Sequence, residues 1–375
     1  PQDRLCEGNC VIEQSGHGSV TIGSIEKYIT DVAWEKGWVK EINVKNENKY
    51  SIGIIGSGPA GLSAAEQLRK KGYQITVYDR YDRPGGLLIY GIPNFKLEKE
   101  IVNKRIRRLK NSGINFILNC EVGSSISFEK IKEKHDAILI ATGVYKPREI
   151  NLNISKASNV VPALEFLIAS NKKGLNDKVK DFINGRLDAK NKNIIVIGGG
   201  DTAMDCVRTA IRQGANSVKC LYRRDQKNMP GSQREVKNAI EEGVDFNWLT
   251  LPTKYIGGDK ITKIKILEMQ LGSPDETGRR APEPILGSEK DLKVDLIIEA
   301  LGFKPEDLPK MFNSKELRVT QWGTLKINYK NMMTSIDGVF AAGDIVRGAS
   351  LVVWGIKDGR DVAEYIHTYI EKKEK

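Results

Sequence analysis

Closely spaced glycines occur twice in the chain, each time directly after a short apolar run. The first segment is Gly56-Ser-Gly58-Pro-Ala-Gly61, and the second is Gly198-Gly-Gly200-Asp-Thr-Ala203. In such a turn the first glycine allows a tight bend, the second lets the backbone approach a pyrophosphate, and a small third residue lets a helix pack closely on the strand. Both segments therefore have the residue types that bind the phosphates of a dinucleotide at the positive end of a helix.

The residues around the first segment predict the elements that must position it. Ser51 to Ile55 has the apolar character of a buried strand, and a helix is predicted to run from the glycines to about Lys71. The next β-run ends at Asp79, where an acid typically hydrogen-bonds a ribose hydroxyl. These residues alone fit either FAD or NAD.

Two later segments favour FAD at this first site. Ala141-Thr142-Gly143 follows the apolar run 137–140, as expected for a strand that ends against the cofactor. Gly338-Val-Phe-Ala-Ala-Gly343-Asp344 predicts another strand, and a helix is predicted from about Ser350 to Tyr369. A carboxylate at Asp344 can bind the ribityl or pyrophosphate region of a flavin. It is the order of these segments along the chain that favours FAD.

The second unit repeats the order of the first, with a strand, a glycine turn, a helix and a second strand, but the residues after its second strand are basic. Residues 193–197 predict a strand, a helix follows to about Gln213, and 217–222 predict the next strand. Arg223 and Arg224 then stand where the first unit has an acid. Two guanidinium groups can bind a 2′-phosphate, which a carboxylate would repel, so the pair predicts NADPH. The alternative is two exposed loop arginines.

The net charge of +11 raises the question of a nucleic-acid partner. Most of the excess lies between residues 50 and 191, including a basic run on one predicted helix: Lys104, Arg105, Arg107, Arg108 and Lys110. Such a run is usually a solvated helix face, and no RRM, KH, zinc-finger or basic-zipper signature accompanies it. We expect no nucleic-acid partner, while docking of an acidic protein stays open. The apolar runs are strand-length, short of the ~20 residues of a membrane span.

The five cysteines show no spacing typical of a disulfide framework. Cys120, Cys206 and Cys220 lie in apolar patterns and are expected to be buried. The odd number of cysteines in the chain favours a reducing compartment, so we expect a cytoplasmic protein. Since the chain opens at Pro1 with a cysteine-bearing segment, we also expect it to lack part of its natural N-terminus.

Several longer segments resemble one family closely. They are Arg83-Pro-Gly-Gly-Leu-Leu-Ile-Tyr-Gly-Ile-Pro93, Gly198-Gly-Gly-Asp-Thr-Ala-Met-Asp205, Gly343-Asp-Ile-Val-Arg-Gly-Ala-Ser-Leu-Val-Val-Trp354 and Pro1-Gln-Asp-Arg-Leu-Cys-Glu-Gly-Asn-Cys10. Over essentially its whole length the chain resembles the two-dinucleotide-domain flavoproteins. Among them it is most similar to the small (β) subunit of bacterial NADPH-dependent glutamate synthase.

The resemblance implies a function and two sets of binding residues. In that family the small subunit takes hydride from NADPH onto FAD and passes electrons through iron–sulfur clusters to a large (α) subunit, which makes glutamate from glutamine and 2-oxoglutarate. The residues that would bind FAD are Gly56, Gly58, Pro59, Ala60, Gly61, Asp79, Gly86, Leu87, Thr142, Gly143, Gly343, Asp344, Ser350, Leu351 and Trp354. Those that would bind NADPH are Gly198, Gly200, Asp201, Thr202, Arg223 and Arg224. The family more often has glutamate where Asp79 stands.

The resemblance also gives the N-terminal cysteines a meaning. Cys6 and Cys10 would be ligands of different iron–sulfur clusters, and Glu26 stands where relatives place an oxygen ligand. An exposed charge near a helix N-terminus is an equally good interpretation of Glu26. A [4Fe–4S] cluster normally needs four thiolates, so we expect the chain alone to bind FAD but no intact cluster, which only the complete protein would hold.

The predicted fold is α/β, with two Rossmann-like dinucleotide-binding domains preceded by the remnant of a helical iron–sulfur domain. The NADPH domain is inserted in the FAD domain. The predicted bounds are 1–49 for the remnant, 50–190 for the first part of the FAD domain, 191–318 for the NADPH domain and 319–375 for the second part of the FAD domain. The lysine- and asparagine-rich stretch 184–193 is predicted to be a linker.

Three other functions share features with this sequence. A disulfide reductase like thioredoxin reductase needs a Cys-x-x-Cys pair, which the sequence lacks. An electron-input module of another complex, such as a ferredoxin:NADP oxidoreductase or a dihydropyrimidine dehydrogenase-like enzyme, keeps the chemistry and changes the partner. A redox-inactive nucleotide-binding scaffold is disfavoured by the intact glycines and the arginine pair. Hydride transfer between cofactors needs positioning more than acid–base groups, so no catalytic residue is predicted.

Overall fold

Two five-stranded parallel sheets with flanking helices form the core of the protein. The computed structural model describes residues 7, 10–150, 152–153, 157–274 and 280–374. The strands are β1 (Ser51–Ile55), β2 (Gln74–Tyr78), β3 (Asn115–Ile117), β4 (Ala137–Ile140), β5 (Lys146–Pro147), β6 (Val160–Pro162), β7 (Asn193–Ile197), β8 (Ser217–Tyr222), β9 (Asp245–Trp248), β10 (Thr250–Gly257), β11 (Ile261–Pro274), β12 (Arg280–Pro284), β13 (Lys290–Lys293), β14 (Leu296–Glu299), β15 (Phe303–Lys304) and β16 (Val339–Ala341). The α-helices are α1 (Val11–Gln14), α2 (Ile22–Glu35), α3 (Pro59–Lys70), α4 (Leu87–Tyr90), α5 (Lys99–Asn111), α6 (Phe128–Lys134), α7 (Ala163–Gly174), α8 (Lys180–Ile183), α9 (Asp201–Arg212), α10 (Gln233–Glu241), α11 (Leu308–Met311), α12 (Asp344–Arg347) and α13 (Val352–Glu374).

The first sheet has the strand order β16-β4-β1-β2-β3 and contains only parallel pairs. Strand β1 pairs Ser51 with Gln74 of β2 and Ile52 with Ala137 of β4, which confirms the predicted strands. Helices α3 and α13 pack against each other beside this sheet. Because the strands are parallel, the turns that follow β1, β2, β4 and β16 meet at one edge, where this fold class binds its ligands.

The second sheet has the order β6-β14-β7-β8-β9, again with only parallel pairs. Strand β7 pairs Asn193 with Ser217 of β8, as the second glycine unit predicts. Helix α9 covers one face with fully buried Ala203, Met204 and Val207. On the other side the antiparallel strands β10, β11 and β13 add further apolar side chains to the core. The predicted α/β fold with two parallel-sheet units is confirmed.

The strand pairing supports bounds for the inserted unit other than the predicted 191–318. Strand β6 pairs with β14 inside the second sheet, so the second unit already includes residues 160–162. After β14 the chain crosses back at β15, which pairs antiparallel with β5, and Leu308 and Phe312 pack into the core of the first unit. We therefore propose that the inserted domain spans 148–302, with the paired strands β5 and β15 marking both crossings.

The predicted linker at 184–193 is part of the second unit. Leu187 and Ala189 are buried in its core beside Phe166 and Leu167 of α7. Its lysine- and asparagine-rich composition predicts a linker, but two buried apolar side chains attach the stretch to this core. The stretch leads directly into strand β7.

The basic run on helix α5 is largely paired within the chain. The ammonium of Lys104 lies 4.7 Å from the centre of the Trp34 ring, and Arg108 Nε donates to the Lys40 carbonyl at 2.7 Å. Arg108 also forms an ion pair with Glu66 at 3.0 Å. Lys104 and Arg108 therefore attach the N-terminal segment to the first domain. Arg105, Arg107 and Lys110 are exposed, as the sequence predicts for a solvated helix face.

Two of the three cysteines in these domains are buried, as the apolar pattern predicts, and one is not. Cys206 and Cys220 are fully buried in the second core, and Cys120 is half-buried at the mouth of the first cleft. Burial raises the pKa of the Cys220 thiol to about 12, so it is inert at neutral pH. Among the described residues, no helix has the length and apolar character needed to cross a membrane.

Candidate dinucleotide-binding sites

The first cleft opens at the carboxyl edge of the first sheet. Its walls come from the glycine turn after β1, the ends of β2 and β4, and the segment after β16. Of the residues predicted to bind FAD, those that line it are Gly56, Gly58, Pro59, Ala60, Asp79, Leu87, Thr142, Gly143, Gly343, Asp344, Ser350 and Leu351. Residues separated by nearly 300 positions in the sequence thus share one cavity.

The three glycines of the first turn have different surroundings. Gly56 has φ +106°, and a Cβ there would lie 2.3 Å from the Ala141 carbonyl oxygen. A Cβ at Gly61 would lie 2.0 Å from the Gly56 carbonyl oxygen, so this glycine allows α3 to pack against the turn. Among the residues that the structure describes, a Cβ at Gly58 would meet no atom within 4 Å. The space beside Gly58 is therefore left for something other than protein.

The Asp79 carboxylate accepts hydrogen bonds from the first glycine turn. Its Oδ2 accepts hydrogen bonds from the Ser57 backbone N–H at 2.8 Å and the Ser57 hydroxyl at 2.5 Å. Its Oδ1 accepts from the Tyr81 N–H at 2.9 Å. A carboxylate has about four acceptor positions, so a ribose hydroxyl can still be accommodated. Positioning the glycine turn is the observed role of Asp79, and ribose binding stays a prediction.

Two polar side chains in this cleft indicate that it is built for a polar ligand. The hydroxyl oxygen of Thr142 is buried and has no hydrogen-bond partner in the described part of the chain. Buried polar atoms are rarely left unsatisfied, because each costs about 1–3 kcal/mol. Asp344 accepts from the Ser350 hydroxyl at 2.7 Å, and burial raises the pKa of the Asp344 carboxyl. The residues present fit a bound dinucleotide.

Other residues of the cleft were missed from the sequence. Arg80 forms an ion pair with Glu306 at 2.8 Å, and its guanidinium lies 4.7 Å from the centre of the Tyr145 ring. Tyr81 packs beside Tyr145 at a ring-centre distance of 6.1 Å. Tyr145 and Tyr81 follow predicted strand ends, which is a usable signal. Nothing in the local sequence connects Arg80 with Glu306.

Three predicted FAD residues do not line the cleft. Gly61 and Gly86 act through backbone packing, since a Cβ at Gly86 would lie 2.9 Å from the Gly58 Cα. Trp354 is 42% exposed and stacks under the Arg347 guanidinium at 5.3 Å. Its contact with FAD stays a prediction. Instead, Leu351 and Gly355 of the same segment border the cleft.

The second cleft opens at the carboxyl edge of the second sheet. Gly198, Gly200, Thr202, Arg223 and Arg224 all line it. A Cβ at Gly198, where φ is +144°, would lie 2.2 Å from the Ala300 carbonyl oxygen. A Cβ at Gly200 would meet nothing within 4 Å. The second turn therefore repeats the first. At its first glycine the neighbouring backbone leaves no room for a Cβ, and at its third residue there is open space beside a helix N-terminus.

The arginine pair lies at the end of β8, as predicted. Arg223 is exposed, whereas Arg224 is half-buried. The Arg224 Nε is buried and has no hydrogen-bond partner among the described residues. An unpartnered guanidinium N–H in a cleft fits an anionic ligand group. Asp201 does not line this cleft. Its Oδ1 accepts the Ser232 N–H at 2.9 Å, so its contact with NADPH stays a prediction and its observed role is to hold that loop.

Comparison with known proteins agrees with these two clefts. Residues 50–359 match the family described as pyridine nucleotide-disulphide oxidoreductase. Over 373 residues the chain is 59% identical to the glutamate synthase [NADPH] small chain of Azospirillum brasilense, covering 100% of this chain and 77% of that protein. The chain belongs to the glutamate synthase small-chain family of pyridine nucleotide-disulphide oxidoreductases.

Other small chains and one differently named protein are also similar to it. A putative glutamate synthase [NADPH] small chain of Cereibacter sphaeroides is 59% identical over 370 residues, covering 99% of this chain and 89% of that protein. The putative oxidoreductase AegA of Escherichia coli is 43% identical over 381 residues, although only 57% of that protein is covered. The family core therefore also occurs in a longer protein with a different name.

Solved structures confirm the fold of this small-chain family member. Mycobacterium tuberculosis FprA in complex with NADPH superposes with a TM-score of 0.70 at 18% identity, covering 87% of this chain and 86% of that one. Thioredoxin reductase of Lactococcus lactis gives 0.63 at 21% identity, covering 86% of this chain and all of that one. At such identities the likeness concerns the fold alone.

The N-terminal block of the small chain carries the predicted cluster ligands. Residues 1–38 match the family described as dihydropyrimidine dehydrogenase domain II, 4Fe-4S cluster. Cys6 lies outside the described residues. Backbone N–H groups, chiefly those of Val20 and Glu13, lower the pKa of the Cys10 thiol below its usual value, as suits a thiolate ligand. Glu26 lies on α2, and no group of three or more His, Cys, Asp or Glu side chains in the described part of the chain could hold a metal.

Proposed function

We propose that this chain is the electron-input subunit of an NADPH-dependent glutamate synthase. It binds FAD in the first cleft and NADPH in the second, and delivers electrons through iron–sulfur clusters to a large subunit that forms glutamate from glutamine and 2-oxoglutarate. The observation that carries the proposal is the pair of dinucleotide-type clefts in a chain 59% identical to small chains of that name. We further propose a cytoplasmic location, from the five cysteines without a disulfide framework.

The chain contributes binding and orientation to this chemistry. FAD supplies the redox reactivity, since it accepts a hydride from NADPH and can release electrons singly. The N-termini of α3 and α9 would hold the two pyrophosphates on their free N–H groups. Thr142 and Asp344 would bind polar groups of the flavin cofactor, and Arg224 would bind the 2′-phosphate of NADPH. Hydride transfer between the two cofactors requires no acid or base from this chain.

Replacing the arginine pair is expected to change cofactor preference. In Arg223→Ala/Arg224→Ala, kcat/KM for NADPH should fall about 10- to 100-fold through KM, because charge-assisted hydrogen bonds to the 2′-phosphate are lost. The kcat/KM for NADH should stay unchanged. Arg234→Ala is the matched control, since it removes an exposed arginine that lines neither cleft. Steady-state assays with both nucleotides measure the ratio, and equal losses for the two would contradict the assignment.

Reconstitution with a glutamate synthase large subunit tests the proposed function as a whole. The complete small chain, including its iron–sulfur domain, is mixed with the large subunit, NADPH, glutamine and 2-oxoglutarate. The expected result is glutamate formation that depends on both subunits. A complex that consumes no NADPH, while the small chain alone reduces a ferredoxin rapidly, would instead support an electron-input module for another partner. The 43% identity to a putative oxidoreductase makes that second outcome worth measuring.

A further inference from the structure

One segment of the first domain lies between the two dinucleotide clefts. This bridging segment, residues 82–99, contacts the first glycine turn on one side. The Gly85 N–H donates to the Ser57 carbonyl at 3.0 Å, and Leu87 lines the first cleft. Because the segment packs directly against this turn, its position affects the geometry of the first site.

The inserted domain holds the other side of the bridging segment near its beginning. Arg83 forms a two-pronged ion pair with Asp177, with both nitrogen–oxygen distances at 2.7 Å. Asn171 of α7 is buried, and its side-chain amide donates to the Tyr90 carbonyl at 2.9 Å. These contacts join the segment to the helix that opens the inserted domain.

A second attachment near the end of the segment is a buried cluster of charges. Lys96 Nζ lies 2.5 Å from Asp205 Oδ1 and 3.2 Å from Glu235 Oε2, and the three side chains are 8%, 12% and 6% exposed. Arg208 donates to the same Glu235 oxygen at 2.6 Å. The ring of Phe95, next to Lys96, lies under the Arg208 guanidinium at 4.9 Å. A first-domain cation is thus buried among inserted-domain carboxylates.

The partners of Lys96 are tied to the second glycine turn. Asp205 is on α9, one turn of helix beyond the phosphate-binding end, and Glu235 is near the start of α10. The loop before α10 is fixed to that turn, because the Gly231 N–H donates to the Gly199 carbonyl at 2.9 Å. Lys96 therefore links the helices of the second site to the segment that packs on the first.

The positive charge of Lys96 compensates the negative charge of the buried carboxylates beside it. Burial raises the pKa of Asp205 to about 6 even though Lys96 lies beside it. Removing one partner of a buried pair leaves an uncompensated charge, which is costly, whereas replacing both partners together is often nearly neutral. Stability and domain positioning can therefore be separated by mutating one partner or two.

We propose that Lys96, with Asp205 and Glu235, is a positioning cluster that fixes the orientation of the inserted domain for hydride transfer. The inference rests on the proposed function, since it assumes NADPH and FAD in the two clefts. Lys96 lines neither cleft, so it acts through the domains that carry the cofactors. A misplacement of 1 Å between reacting groups can cost about 100-fold in rate, which gives such a cluster a large effect.

Rapid-mixing kinetics on the flavin-loaded protein tests this role. In Lys96→Met, the limiting rate of flavin reduction by NADPH should fall at least about tenfold while the NADPH Kd and flavin content stay unchanged. The isotope effect with NADPH deuterated at the transferred position should increase, because a nicotinamide held out of position slows the hydride-transfer step itself. Lys96→Arg should restore much of the rate. Lys237→Met, at a lysine of α10 that is 77% exposed and lines neither cleft, is the control and should match wild type.

A double variant separates positioning from stability. Lys96→Met/Asp205→Asn removes both charges, so its melting temperature should recover towards wild type while its limiting rate stays low. Recovery of the rate together with stability would overturn the proposal, as would a wild-type rate and isotope effect in Lys96→Met. A wild-type flavin that NADPH does not reduce would instead refute the proposed function, and the positioning role with it.

Discussion

Gly200→Val is expected to retain its flavin and to lose the reduction of that flavin by NADPH. The backbone at Gly200 is extended, with φ −90° and ψ 178°, which valine adopts readily, and a Cβ there would meet no protein atom. The two methyl groups would instead occupy the space at the N-terminus of α9 where the pyrophosphate approaches the backbone. We expect kcat/KM for NADPH to fall about 100-fold or more, since displaced phosphates also misplace the nicotinamide.

The matched control for this variant is Gly258→Val. Gly258 also has open space at its Cβ position, but it lies in the turn between β10 and β11 and outside both clefts. Its flavin content and kcat/KM should equal those of wild type. Unchanged kinetics in Gly200→Val would show that the second glycine turn does not hold the nicotinamide nucleotide.

Gly58→Val is expected to give a folded protein without flavin. Gly58 likewise has an extended backbone, with φ −73° and ψ −174°, and an open Cβ position beside Pro59, the first residue of α3. A side chain there would exclude the pyrophosphate of FAD and should leave the purified protein colourless. Its melting temperature should also fall, because a bound cofactor stabilises the native state by mass action. Flavin absorbance relative to protein absorbance, with circular dichroism for folding, measures both effects.

Gly56→Ala provides the contrast for the same turn. Gly56 has φ +106°, and its added methyl group would lie 2.3 Å from the Ala141 carbonyl oxygen, so this variant should lose the fold along with the cofactor. If Gly58→Val bound FAD stoichiometrically, the first cleft would not be the flavin site.

The parts of the site that could be predicted from sequence are those set by contiguous residues. A strand, a glycine turn and a helix follow each other directly, so β1 with α3 and β7 with α9 could be located from one short window each. The end of β8 also fixed where Arg223 and Arg224 lie. The same holds for Asp344, which follows a recognisable strand.

The contacts that were missed join residues far apart in the sequence. Strand β6 is only three residues long and gives no periodic signal, so its place in the second sheet could not be predicted before the sheet order was known. The pairs Arg80–Glu306 and Lys96–Asp205 span more than a hundred residues. The hydrogen bonds from Ser57 to Asp79 were also missed, because the fingerprint suggests only a ribose partner for that acid.

Anaerobic titration of the flavin-loaded protein with NADPH is the most direct test of two cooperating dinucleotide sites. We predict that the oxidised flavin absorbance bleaches stoichiometrically and rapidly with NADPH, and far more slowly with NADH at the same concentration. Gly200→Val should remain yellow under the same conditions. A protein that binds flavin but is not bleached by NADPH, or that purifies without any flavin, would contradict the account.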